Sequence, residues 1–273
     1  MSTSKTALIT GASSGIGGSA ALLLKEKGFT VYGAARRLEK MKSLESKGIN
    51  IIELDITDEG SIENCVNTIL SREGSIDVLV NNAGYGSYGA IEDVPMEEAR
   101  RQFDVNIFGL ARLTQLVLPG MRENHSGRII NISSMAGRIY TPFGGWYHAT
   151  KHALEGWSDC LRLETKAFGI DVVIVEPGGI KTPWGLIAAD NLKKTSGKGP
   201  YAGDANKIAD SMAKLYASSK LTKPETIGKV ILKAATVARP KRRYIKGFGA
   251  KPAIFIRRCL GDGIFEFLWK LMA

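Results

Sequence analysis

Six apolar runs of strand length recur along the chain with helix-length segments between them, at 6–10, 30–34, 50–53, 76–81, 128–132 and 171–176. Ile76-Asp77-Val78-Leu79-Val80 and Val172-Val173-Ile174-Val175 are β-branched and almost continuously apolar, as strands are when helices cover both faces of a parallel sheet. This alternation predicts one α/β domain over 1–273, a doubly wound parallel sheet. Residues 16–27 and 58–73 read as helices closed by Gly28 and Gly74, and 95–121 and 146–168 as two longer ones. Beyond the sixth run, 182–204 holds Pro183, Gly185, Gly197, Gly199 and Pro200, which predicts a long irregular substrate loop.

Composition, at 44% hydrophobic and 23% charged, excludes a disordered or fibrous chain. No apolar run reaches the roughly 18 residues of a spanning helix, and none precedes Ala7 to act as a secretory signal, so a cytoplasmic chain is expected, at most a peripheral visitor to membranes. Cys65, Cys160 and Cys259 are too widely spaced for a disulfide or zinc framework. His148 and His152 share i,i+4 spacing, but no ligand set completes them and no metal is expected.

Function begins to show after the first strand. Thr10-Gly11-Ala12-Ser13-Ser14-Gly15-Ile16-Gly17 is a G-x-x-x-G-x-G turn opening a helix, and such a turn lets backbone N–H groups approach a pyrophosphate at the helix N-terminus. Its place in a βαβ unit points to a Rossmann-type dinucleotide site. Where an acidic residue at the end of the second strand would hold the ribose hydroxyls of NAD, the chain has Arg36 and Arg37. Guanidinium groups suit a 2′-phosphate, so NADP (NADPH) is predicted, with NAD the alternative.

The TGASSGIG turn at 10–17, Asn81-Asn82-Ala83-Gly84, and Tyr147-His148-Ala149-Thr150-Lys151 together resemble the short-chain dehydrogenase/reductase family over roughly the first 185 residues. The resemblance implies a catalytic tetrad of Asn106, Ser134, Tyr147 and Lys151, with Ser133 the alternative serine. It also implies that Gly11, Ser13, Ser14, Gly15, Ile16 and Gly17 hold the cofactor. Asp55 and Ile56 would lie at the adenine, and Asn82, Ala83 and Gly84 beside the adenosine. Pro177-Gly178-Gly179-Ile180-Lys181-Thr182 would line the nicotinamide end, and Lys151 would also hold the nicotinamide ribose. Thr150 stands where the family more often has serine.

Chemically, hydride transfer to a carbonyl needs a proton for the developing alkoxide, and a phenol of ordinary pKa near 10 is a poor partner at neutral pH. On a helix, i,i+4 spacing puts Lys151 beside Tyr147, and its ammonium is expected to lower the phenol pKa. Asn106 would support a water relay to Lys151. Tyr85, Phe143 and Trp184 are the predicted substrate contacts, with Tyr88, Trp146, Leu186 and Ile187 as further apolar candidates, and their character suggests a steroid, retinoid or lipid-derived ketone, in the manner of the hydroxysteroid dehydrogenase and acyl-dihydroxyacetone-phosphate reductase branch. The alternatives are a reductase of small carbonyls or sugars, or a non-catalytic nucleotide sensor. A homodimer or homotetramer is implied by the family.

Thirty-seven basic against 27 acidic residues give +10, and 239–273 carries nine basic side chains against Asp262 and Glu266. Ile264, Phe265, Phe267, Leu268, Leu271 and Met272 follow helical spacing there, with Glu266 and Lys270 expected to pair. This stretch either caps the pocket or a subunit contact, or docks on anionic membrane. No recognition motif accompanies the charge, and no nucleic-acid partner is expected.

Overall fold

The computed structural model describes residues 4–272, apart from the side chain of Met272. The readings above that touch residues 1–3 and the Met272 side chain lie outside the described residues. Seven strands build one all-parallel sheet: β1 (Thr6–Thr10), β2 (Thr30–Ala35), β3 (Asn50–Glu53), β4 (Val78–Asn81), β5 (Gly127–Ile132), β6 (Ile170–Pro177) and β7 (Arg243–Lys246). Their spatial order is β3-β2-β1-β4-β5-β6-β7. Eleven α-helices are described: α1 (Gly15–Glu26), α2 (Lys42–Glu45), α3 (Glu59–Glu73), α4 (Met96–Phe103), α5 (Gly109–Glu123), α6 (Gly145–Thr165), α7 (Trp184–Ser196), α8 (Ala202–Ala217), α9 (Pro224–Thr236), α10 (Ala250–Phe255) and α11 (Gly261–Met272).

The period-two alternation of side chains explains why the strands are apolar throughout. Ala7, Ile9, Val78, Val80, Ile130, Ile132, Val173 and Val175 enter a core closed by α1 and α9 through Ala20, Leu24, Ile227 and Ile231. Leu8, Leu79, Ile129 and Val172 enter the opposite core, closed by α3, α5 and α6 through Ile62, Ile69, Leu113, Val117 and Leu161. The chain runs outward from β1 to β3, then returns to place β4 on the other side of β1. That reversal opens a crevice beyond the carboxyl ends of β1 and β4.

Two expectations are corrected here. Residues 182–204 are not an irregular loop: α7 fills most of the segment and α8 follows after a short break. Its prolines and glycines sit mainly at helix ends, Pro183 before the first turn and Gly197 at the C-cap, while Gly185 is buried in α7 against the Tyr216 ring. The seventh strand was hidden in the basic tail, where Arg243-Tyr244-Ile245-Lys246 pairs in parallel with β6. Helix 95–121 is found as α4 and α5 joined through a π-helical turn, Asp104–Phe108.

Candidate functional site

The turn after β1 is shaped by two glycines. Gly11 has φ +66°, a left-handed conformation that disfavours a side chain, and a Cβ on Gly17 would stand 2.5 Å from the Gly11 carbonyl oxygen. Ser14 occupies the N-cap of α1 without a side-chain cap hydrogen bond, and the first turn holds no acidic residue. The first N–H groups of α1 and the positive end of its dipole are therefore suited to an anion. Ser13 is half-buried beside this turn, whereas Ile16 packs against the α1–α9 core, so only its backbone belongs to the crevice.

Asn82 and Ala83 lock the far wall. Their N–H groups donate to the buried Thr10 hydroxyl at 3.0 and 2.9 Å, and Asn82 Nδ2 donates to the Thr10 carbonyl at 2.9 Å. Beneath them Asn81 donates to Asn131 and Thr114, and Asn131 to Ser158, a buried polar ladder that ties β4 and β5 to α5 and α6. Arg36 and Arg37 are exposed at the end of β2. Asp55 accepts from the N–H and hydroxyl of Thr57 at 3.0 and 2.8 Å. Partial burial pushes its carboxyl up, but these hydrogen bonds, with Arg36 and Arg101 nearby, hold it below the usual carboxylate range. Ile56 is buried in the α3–α5–α6 core and presents no side chain to the crevice.

On the opposite side, Gly178 and Gly179 donate to the carbonyls of Lys246 and Phe248. This pins the Pro177–Thr182 segment, and Ile180 is buried behind it. A Cβ on Gly15 would lie 3.0 Å from Thr182 Cγ2, so this segment meets the glycine turn directly.

Between these walls lies the polar cluster. Lys151 is buried, and its Nζ donates to the Ile132 carbonyl at 2.9 Å and sits 5.9 Å from the centre of the Tyr147 ring. Burial lowers its pKa to about 8, against the opposing pull of Glu155. Tyr147 corrects the expectation of a lowered phenol: burial raises it well above the ordinary value, and the neighbouring Ser134 hydroxyl opposes the rise without overcoming it. Ser134 also accepts from the Ala136 N–H at 3.1 Å, whereas the Ser133 hydroxyl is buried without a hydrogen-bond partner. Asn106 lies in the π turn, with its amide given to the Tyr85 backbone and to Thr150 Oγ1 at 3.0 Å. Gly84 lies against it, since a Cβ there would be 3.0 Å from Asn106 Oδ1 and 3.7 Å from Lys151 Nζ.

On the substrate side the two candidate tyrosines point to different partners. Tyr85 is turned to Glu98, to which its hydroxyl donates at 3.0 Å. Tyr88 instead reaches the cluster, its ring 6.0 Å from those of Tyr147 and Trp184, and Trp184 lies 5.1 Å from Tyr147. Phe143 packs against the same cluster and, with Ile91, Tyr201, Ile208 and Trp269, lines an adjoining cavity of about 710 Å³. Between the two tyrosines Gly86 packs closely against Trp184, where a Cβ would stand 2.4 Å from the indole, a contact across about a hundred residues that local spacing does not reveal.

Sequence reasoning also missed a buried charged group behind Lys151. Arg243 Nε on β7 donates to Glu155 at 3.0 Å and lies 3.1 Å from Glu176 Oε1. Burial, with the neighbouring Glu155 carboxylate, pushes Glu176 up to about 7. Both ring nitrogens of His148 face protein partners, Nδ1 the Ala136 carbonyl and Nε2 the N–H and hydroxyl of Thr141. Among the described residues no group of three or more His, Cys, Asp or Glu gathers as metal ligands.

Residues 5–190 match the short chain dehydrogenase family. The chain is 34% identical over 266 residues to a Helicobacter pylori protein named as a short-chain type dehydrogenase/reductase, VdlC, covering 97% of each. It is 40% identical over 199 residues to 3-ketodihydrosphingosine reductase of Bacteroides thetaiotaomicron, covering 72% of this chain and 71% of the relative. Identity is 36% over 250 residues to the NADPH-dependent 3-dehydrocapnine reductase of Ornithobacterium rhinotracheale, covering 88% and 87%. A short-chain dehydrogenase from Streptomyces avermitilis superposes with a TM-score of 0.81 at 32% identity, covering 98% of this chain and 95% of that one. With this match behind the glycine turn and the tyrosine–lysine helix, the chain belongs to the short-chain dehydrogenase/reductase family, the NAD(P)-dependent oxidoreductases of CH–OH groups.

Proposed function

We propose that this chain is an NADPH-dependent reductase of hydrophobic, lipid-derived ketones, able to run in reverse on the secondary alcohol. The observation that carries the reading is the apolar collar of Tyr88, Phe143 and Trp184 around Tyr147. Two relatives named as reductases, of 3-ketodihydrosphingosine and of 3-dehydrocapnine, support the substrate class. For the cofactor, the exposed Arg36 and Arg37 favour a 2′-phosphate, as does the NADPH dependence in the second relative's name.

The crevice fits such a group: an uncapped helix N-terminus without first-turn acid, a glycine turn that admits close approach, and Asn82, Ala83, Gly84 and Thr182 around it. When bound, the nicotinamide supplies the hydride. The residues of the chain manage the proton. Tyr147, kept protonated by burial, delivers it to the substrate oxygen, and Ser134 orients that oxygen. Lys151 stabilises the phenolate left behind, and Asn106 braces the helix turn and Gly84 beside it. We further read the chain as a homo-oligomer pairing through α5 and α6, where Phe108 at the head of α5 and Leu163 on α6 stand exposed.

The test is steady-state turnover with NADPH and with NADH on a panel from small aldehydes and sugars to steroid ketones and 3-ketodihydrosphingosine. Turnover of the long-chain ketones with NADPH is expected, and turnover of small sugars alone would overturn the reading. Replacing Arg36 and Arg37 together by alanine should weaken NADPH by about tenfold or more while leaving NADH affinity unchanged, since charge-assisted hydrogen bonds contribute about 1.5 to 3 kcal/mol.

A further inference from the structure

Among its described residues, helix α11 buries a single side chain, Phe265, and leaves both charged and large apolar residues exposed. Phe265 packs with Ile139 and Ile254, and its ring lies 5.4 Å from that of Tyr140. Glu266 does not pair with Lys270: Glu266 and Asp262 both accept from the Tyr140 hydroxyl, at 2.8 and 3.3 Å, and Asp262 also pairs with Arg257 at 2.6 Å. Arg257 in turn lies over the Tyr140 ring. Outward stand Leu260, Ile264, Phe267 and Leu271, spaced i, i+4, i+7 and i+11 and 46%, 46%, 62% and 70% exposed. Phe255, just before them, is 59% exposed. Large apolar side chains scattered singly on a surface are ordinary, but four in one helical row form a continuous apolar stripe, the character of a face covered by a second surface.

Charge identifies that surface. Lys241, Arg242, Lys251, Arg258 and Lys270 are exposed along the same tail, while its two acidic side chains are already engaged by Tyr140 and Arg257. A second copy of this tail would bring like charges together. A bilayer with anionic headgroups offers an apolar layer beneath negative charge, which accommodates the stripe and the cations at once. We propose that α10 and α11 dock this protein on an anionic lipid surface, with Ile264, Phe267 and Leu271 entering the acyl boundary and Arg258 and Lys270 held at the headgroups.

The docked face adjoins the substrate route. Trp269 and Lys270 of α11 line the 710 Å³ cavity whose other walls include Phe143 and Ile208, members of the apolar cluster around Tyr147. Docking therefore sets the cavity mouth against the bilayer, from which a lipid-derived ketone enters; this delivery step rests on the proposed substrate class, whereas docking does not.

The experiment is cosedimentation of the NADPH-loaded full chain with vesicles of phosphatidylcholine alone and with about one third phosphatidylglycerol, at low and high salt. Binding to the anionic vesicles should exceed that to the neutral ones by more than about tenfold and fall away in high salt. Arg258→Glu should weaken it by about 25-fold, near fivefold for each unit of charge, and Phe267→Asp should abolish it. Both variants should keep NADPH affinity and turnover of a short water-soluble ketone. Equal binding to both vesicle types, no binding to either, or a dimer that Phe267→Asp converts to monomer in light scattering would overturn docking. Docking without turnover of any long-chain ketone would instead overturn the substrate reading.

Discussion

Lys151 shows how the demands of a site conflict with those of a fold. Its ammonium is buried with one carbonyl partner, and its pKa drops from 10.5 to about 8. Between these values the unfolded chain binds a proton that the folded chain lacks, so stability rises with pH across that window, and below it the folded state carries the full cost. Lys151→Met should therefore gain stability relative to wild type near pH 7, by about 3 kcal/mol at most, and lose most of that gain near pH 10. Thermal unfolding at the two pH values checks this, and a pH-independent difference would contradict it. At this scale Asn106, Ser134, Tyr147 and Lys151 were legible through the family resemblance carried by the glycine turn, Asn81-Asn82-Ala83-Gly84 and the Tyr147–Lys151 pair, which implied each position. That Tyr88 meets Tyr147 while Tyr85 turns to Glu98 was not, because their partners lie on other helices. Nor was the raised phenol of Tyr147, since spacing reveals the proximity of a charge but not the depth of burial.

Between elements, single side chains hold joints that no motif marks. Thr10 joins β1 to the end of β4 by accepting two backbone N–H groups while buried. Thr10→Val keeps the shape and orphans both donors, so unfolding free energy should fall by about 2 kcal/mol or more, with weaker NADPH binding as the crevice wall loosens. Calorimetry that finds the variant as stable as wild type would refute this. Glu176 joins β6 to α6 and β7, and its protonation is favoured by the fold. A raised carboxyl favours folding below its unfolded pKa, and that contribution is lost as pH rises from 4.5 through about 7. Glu176→Gln should accordingly be better tolerated above that window than below it; chemical denaturation at both ends measures the difference, and the opposite trend would show that ionised Glu176 is the stabilising form. The six strands and first helices were legible from apolar runs closed by glycine. Helix α7 was obscured because its terminators looked like a loop's interior, and β7 because half of its residues are basic.

For the molecule as a whole, the order of strand and helix signals contained the doubly wound sheet, and the glycine turn located the crevice at the reversal between β1 and β4. What order alone did not convey is that α7, α8 and the basic tail close over the same end of the sheet. Long-range packing, through Trp184 onto Tyr147 and Phe265 onto Ile139, makes that closure. In the function proposed above, this end of the sheet performs proton-coupled hydride transfer with Tyr147 as the proton donor. The most direct test of that role is Tyr147→Phe, assayed for NADPH-dependent reduction of a long-chain ketone alongside NADPH binding. A fall in kcat of about 10² to 10⁴ with unchanged NADPH affinity is expected, since phenylalanine keeps the packing and removes only the acid. Turnover close to wild type in that variant would contradict the assignment.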